Sequence, residues 1–166
     1  MATVENLKEA FAGESQANRT YLAFAKKADQ DGFPQVAKLF RAAAAAETVH
    51  AHAHLRAMRG VKGTAENLES AIEGEGYEFT QMYPQYVREA EAEGETTALT
   101  SFRAALAVEG IHHDLYSAAL ESVKIGEDLA SRQVFVCDVC GNTVYDETPN
   151  VCPICGAKKE RFFEVS

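Results

Sequence analysis

A chain of 166 residues, 46% hydrophobic and 25% charged, has the size and balance of a water-soluble globular protein with one core of ordinary size and room for a small appendage. Its 16 basic residues against 25 acidic ones leave a net charge of −9, which opposes binding to polyanionic nucleic acid. No apolar run reaches the roughly 18 residues of a membrane span, and MATVENLKEA lacks the basic-then-apolar plan of a signal peptide, so the expectation is a cytoplasmic protein.

The spacing of apolar residues predicts four long helices. The first runs from about Thr3 to Asp31, where Gly32-Phe33-Pro34 stops it and Pro34 is placed to open the second. The second reaches about Arg59 and ends at Gly60. After a connector containing Lys62-Gly63, Thr64 is the expected N-cap of a third helix extending to Ala92, kinked or locally broken by Pro84. Glu93-Gly94 makes the next turn, and the fourth helix is expected from about Glu95 to Ala130. Beyond Ser131 come short β-prone pieces, Val134-Phe135-Val136, Thr143-Val144-Tyr145 and Arg161-Phe162-Phe163. The reading is a mostly α protein, with a helical domain over 1–131 and a small module over 132–166.

Each helix carries carboxylate in the middle of its buried seam. The first seam is Leu7, Phe11, Glu14, Asn18, Tyr21, Phe24/Ala25, Ala28. The second is Val36, Phe40, Ala43, Glu47, His50, His54, Ala57. The third is Leu68, Ile72, Glu75, Glu78/Phe79, Met82, Tyr86, and the fourth Leu99, Phe102, Leu106, Glu109, His112/His113, Tyr116, Leu120. If the third and fourth helices fold back at Gly94, Glu78 lies 16 residues before the turn and Glu109 15 after it, so the two meet at one height. Around Gly32-Phe33 the offset of Glu14 and Glu47 is about four residues, or roughly 6 Å of helical rise.

Glu14, Glu47, Glu75, Glu78 and Glu109 with His50 and His112 therefore converge. Buried together without a counter-charge, such carboxylates would protonate, because desolvation and mutual repulsion both disfavour the ionised form. Two metal cations remove that objection. Glu47-Thr48-Val49-His50 and Glu109-Gly110-Ile111-His112 are both Glu-x-x-His, which puts a carboxylate and an imidazole one turn apart. Two such helices plus single glutamates from two others make the dinuclear carboxylate site of ferritin-like bundles. Oxygen-rich ligation with two imidazoles suits iron or manganese. A lone Glu-x-x-His is usually a solvated pair; two, each matched by a glutamate on the preceding helix, point to metal. His52 lies off the seam, and His54 and His113 read as neighbours of the site or as surface residues.

The chain's four cysteines all fall between 137 and 155. Cys137-Asp138-Val139-Cys140-Gly141 and Cys152-Pro153-Ile154-Cys155-Gly156 are two C-x-x-C knuckles, the pattern of a tetrathiolate metal site. Zinc for structure and iron for electron transfer look alike at this level, but an attached di-iron bundle needs an electron source and so favours iron.

Ala12-Gly13-Glu14-Ser15, Ala46-Glu47-Thr48-Val49-His50, Gly74-Glu75-Gly76-Tyr77-Glu78 followed by Met82-Tyr83-Pro84, Glu109-Gly110-Ile111-His112 and the terminal knuckles together resemble the rubrerythrin family over nearly the whole chain. The resemblance implies a ferritin-like four-helix bundle with a rubredoxin-like module, and a non-haem di-iron peroxidase that reduces hydrogen peroxide to water in oxidative-stress defence. It implies Glu47 and Glu109 as bridging ligands, Glu14 and Glu75 as terminal ones and His112 completing one iron. The other iron is expected to exchange His50 in the reduced state for Glu78 in the oxidised state. Tyr21 and Tyr83 match tyrosines that hydrogen-bond near the ligands. Cys137, Cys140, Cys152 and Cys155 would hold a third iron, which relays electrons from NADH or NADPH through a reductase or rubredoxin. Two other readings stand beside this one: a ferroxidase or iron-handling protein, and a redox sensor or electron-transfer module.

The ferritin-like arrangement implied by the family runs its second and third helices parallel. From Glu47 to Gly60 and from Thr64 to Glu75 the chain covers roughly 36 Å, whereas the short connector between them spans at most roughly 17 Å. Either the bundle is up-down-up-down, or a domain-swapped homodimer combines the first two helices of one chain with the last two of another. The swap is the expectation, because it preserves the family's site.

Overall fold

The computed structural model describes residues 2–166. In chain order it contains α1 (Ala2–Gln30), α2 (Pro34–Ala57), α3 (Thr64–Tyr77), a π-helical turn (Glu78–Met82), α4 (Tyr83–Glu93), α5 (Thr96–Lys124), β1 (Val134–Cys137), β2 (Thr143–Tyr145), a 3-10 turn (Lys159–Arg161) and β3 (Phe162–Val165). The chain divides into two compact units, Met1–Lys62 and Gly63–Ser166.

The first unit is a helical hairpin. Gly32 takes φ +81°, a left-handed conformation that costs glycine nothing, and the Phe33 N–H donates to the Ala28 carbonyl at 2.8 Å, closing the end of α1. Pro34 then opens α2, where a missing N–H is harmless. The helices approach through small residues: Ala25, Ala28, Ala37, Ala44 and Ala51 are buried. Asn18 of α1 donates to the Ala44 carbonyl at 2.6 Å and to the Thr48 hydroxyl at 2.9 Å, which pins the register of the pair. Large apolar residues remain uncovered, among them Phe24, Val36, Leu39 and Val49. A two-helix hairpin has no third element to bury such a face against.

In the second unit α3, the π turn and α4 form one rod packed along α5, reversing at Gly94 (φ +75°). The π turn has a cause in the sequence. Pro84 has no N–H to donate one turn back, and the Tyr83 N–H reaches to the Glu78 carbonyl, the wider repeat of a π-helix. The expected local break at Pro84 is thus a widened turn just before it. Opposite, Gly110 leaves room for the Phe79 ring, whose Cε2 would stand 3.0 Å from a Cβ placed there.

The expected helix end at Ala130 is corrected: α5 stops at Lys124, because Gly126 takes φ +78° and the Gly126 and Glu127 N–H groups cap the Val123 and Ser122 carbonyls. The expected N-cap Thr64 is instead the first helical residue, with Gly63 before it donating its N–H to Glu66 at 3.4 Å. The three β-prone pieces form an antiparallel sheet ordered β2-β1-β3, in which Val136 pairs with both Thr143 and Phe163. This cysteine module packs on α5, with Gly141 lying against Val108.

Candidate metal centre

In the first unit, Glu14 of α1 and Glu47 and His50 of α2 bring their ligand atoms within 4.8 Å of one another. His50 Nδ1 lies 2.8 Å from Glu47 Oε2 and 3.9 Å from Glu14 Oε1. The His50 ring hydrogen bond, followed by one shared with Glu14, holds the Glu47 carboxyl below the usual range.

The second unit repeats the geometry. Glu75 of α3 and Glu109 and His112 of α5 also converge within 4.8 Å. His112 Nδ1 lies 2.9 Å from Glu109 Oε2 and 3.9 Å from Glu75 Oε1. Burial, then the hydrogen bond and charge of Glu109, push the Glu75 carboxyl up. Glu-x-x-His on α2 and on α5 thus builds the same half-site twice: two carboxylates, and one imidazole presenting Nδ1.

Glu78, the first residue of the π turn, stands outside that trio, and burial with the charge of Glu75 raises its carboxyl. The Tyr83 hydroxyl is pushed up by burial first and then by the charges of Glu78, Glu109 and Glu75, and its ring packs on Tyr86 and Phe102. Tyr21 packs its ring on Phe24 and Phe40. His52 lines a groove between α1 and α2 with Asn18 and Thr48, and His113 lies 3.4 Å from Asp114.

The four cysteine sulfurs of Cys137, Cys140, Cys152 and Cys155 gather within 4.8 Å, and no disulfide joins them. Gly141 (φ +85°) and Gly156 (φ +74°) turn each knuckle, their N–H groups bonding to Cys137 and Cys152 carbonyls. Burial pushes the Cys140 thiol up. Cys152 also meets a burial penalty, yet the N–H groups of Cys155 and Ile154 with neighbouring thiols bring it down to about 6. Four sulfurs converging this closely from two C-x-x-C knuckles make the donor set of one tetrahedral metal ion. The buried Asn142 side chain donates to Cys152 Sγ at 3.6 Å.

Two residues escaped the sequence reading. Asn142 is one. Thr143 is the other: its hydroxyl lies 3.1 Å from His112 Nε2 and donates to the Gly141 carbonyl at 3.1 Å. Neither belongs to a ligand motif, and 31 positions separate Thr143 from His112.

The rubrerythrin family profile matches residues 5–120, and the profile described as the rubredoxin-like domain of rubrerythrin matches 135–163. The chain belongs to the rubrerythrin family. It is similar to rubrerythrin-2 of Clostridium acetobutylicum, at 36% identity over 96% of this chain and 95% of that protein. It is also similar to nigerythrin of Nitratidesulfovibrio vulgaris, at 35% identity over 97% and 85% of the two chains. Among solved structures, fully reduced, all-ferrous nigerythrin superposes with a TM-score of 0.58 at 33% identity, covering 98% of this chain and 86% of that one. The fold is therefore the ferritin-like class with a C-terminal rubredoxin-like module.

The rubrerythrin cofactors fit the donor sets: carboxylates with inward Nδ1 atoms suit non-haem iron, and the four sulfurs suit a single iron. No helix among the described residues is long and apolar enough to cross a membrane.

Proposed function

We propose that this rubrerythrin-family chain is a peroxidase that reduces hydrogen peroxide to two waters, taking two electrons and two protons per turnover. The observation that carries the reading is the paired Glu-x-x-His half-site accompanied, on α5, by a four-cysteine cage. Bound iron at the carboxylates would supply the two electrons, and the four-cysteine iron would restore them singly from a reductase fed by NADH or NADPH, or from rubredoxin. Storage alone would need no such relay.

The protein residues divide the work. Glu14, Glu47, Glu75, Glu109 and His112 would hold the two irons, with Glu47 and Glu109 as the shared ligands, Glu14 and Glu75 as terminal ones and His112 as the constant imidazole. His50 and Glu78 would exchange as the ligand of the other iron, His50 in the reduced state and Glu78 in the oxidised state. An anionic carboxylate favours the more positive oxidised site, whereas a neutral imidazole suits the reduced one. The bond that holds His112 at Nε2 to Thr143 supports its role as the constant imidazole. Tyr83, whose hydroxyl is raised by burial and by the charges of Glu78, Glu109 and Glu75, would hold a proton near the carboxylates, and Tyr21 has the same proposed role.

We further read 1–131 as the di-iron domain and 132–166 as the electron-relay module of a domain-swapped homodimer working in a reducing cytoplasm. The connector of residues 58–63 and the uncovered apolar face of the α1–α2 hairpin support the swap. Mixing anaerobically reduced protein with peroxide, and separately with oxygen, tests the activity. Fast stoichiometric oxidation by peroxide and slow oxidation by oxygen is the expected result, and the reverse order would favour a ferroxidase.

A further inference from the structure

We propose that Thr143 is a positioning residue through which the cysteine module fixes the ligating nitrogen of His112 and gives electrons a bonded path to it. This rests on the peroxidase reading above. The direction of the hydrogen bonds decides the geometry. The Gly141 carbonyl can only accept, so the Thr143 hydroxyl, 3.1 Å away, donates to it. That hydroxyl then has only lone pairs left for His112 Nε2, at 3.1 Å, so Nε2 carries the proton. That tautomer leaves Nδ1, the atom 2.9 Å from Glu109 and turned toward Glu75, as the nitrogen that would ligate a metal shared with those carboxylates. Ligating imidazoles commonly have their far nitrogen held by such an acceptor, which orients the ring and fixes its tautomer.

The acceptor here belongs to the other metal site. Gly141 follows Cys140 directly, its N–H closes the first knuckle onto the Cys137 carbonyl at 2.8 Å, and a Cβ placed on it would stand 3.6 Å from Val108 of α5. Thr143 is held by its pairing with Val136 in β1. From the cysteine cage to His112 the path is one peptide segment and two hydrogen bonds. His50, the corresponding imidazole of the first unit, has no Nε2 partner among the described residues.

The test replaces the hydroxyl without disturbing the strand. Thr143→Val keeps the β-branched shape and Thr143→Ser keeps the hydroxyl, both in the full-length protein; Thr143→Ala carries the same expectation as the valine if that side chain crowds His112. Anaerobic titration of the metal-free chain with ferrous iron should show the carboxylate site of Thr143→Val weakened about tenfold and that of Thr143→Ser near wild type. After reduced protein is mixed with one equivalent of peroxide, the ferric tetrathiolate absorbance should return about tenfold more slowly in Thr143→Val, with Thr143→Ser restoring the rate. Wild-type affinity and rate in both Thr143→Val and Thr143→Ala, or a serine variant as impaired as the valine one, would overturn the role of Thr143 alone. A wild-type chain whose carboxylates take up no ferrous iron, or whose tetrathiolate centre is not reoxidised by peroxide, would overturn the peroxidase reading and this inference with it.

Discussion

Single residues decide how the two kinds of site behave. Asn142 is 2% exposed and aims its amide at Cys152 Sγ. Hydrogen bonds to the sulfurs of such a centre stabilise its more negative, reduced form and so raise its potential. Asn142→Leu should therefore lower the midpoint potential of the tetrathiolate iron, as read by redox titration of its visible absorbance, without changing the iron count. The carboxylates make a second prediction. Glu75 and Glu78 have raised pKa values in the folded chain, so between their unfolded and folded values the native state binds more protons than the unfolded one. Their contribution to stability is full below the unfolded value and is lost as pH rises through the folded one. The metal-free protein should accordingly lose thermal stability on going from mildly acidic to neutral pH, apart from the opposite contribution of Glu47, and metal loading should reverse the loss. Glu75→Gln removes one repelling charge from Glu109 and should raise the melting temperature of the metal-free chain by roughly 2–4 °C if it relieves about 1 kcal/mol, while abolishing ferrous binding at that half-site.

At the scale of elements, what was legible was what is local. Glu47 and His50, or Glu109 and His112, are one turn apart on any helix, so the half-sites could be read once the helices were assigned. The π turn had no such signature: Pro84 announced a disturbance, but only the rod packed along α5 placed it at Glu78–Met82. α5 ends before the sequence pattern predicts because Gly126 adopts a left-handed cap that outweighs the helical pattern continuing through Leu129-Ala130. Gly110 and Phe79 make a pair that ties the π turn to α5. Gly110→Ala would gain helix propensity of about 1 kcal/mol, while the new methyl displaces a Phe79 ring that is 43% exposed and free to give way. Stability should stay near wild type in denaturant titrations. Because Phe79 follows Glu78 directly, the visible spectrum of the oxidised di-iron site should change.

For the whole molecule, the sequence told which ligands exist but not which chain supplies them. Glu14, Glu47 and His50 close one trio and Glu75, Glu109 and His112 another, each within its own unit. A site made of both trios can be assembled within a chain or by exchange between two chains, and the short connector of residues 58–63 favours exchange. A complementation experiment separates the two. One chain carries Glu14→Gln and Glu47→Gln, the other Glu75→Gln and Glu109→Gln, so that neither alone has a complete site in any arrangement. Unfolded together and refolded with ferrous iron, they should recover about a quarter of the wild-type di-iron centres if hairpins exchange, because half of the dimers are mixed and one of the two sites in each mixed dimer has both trios intact. If each chain closes its own bundle, every site inherits one damaged trio and the mixture recovers none. Sedimentation of the wild-type protein as an iron-loaded monomer would likewise exclude exchange, since an exchanged site requires two chains.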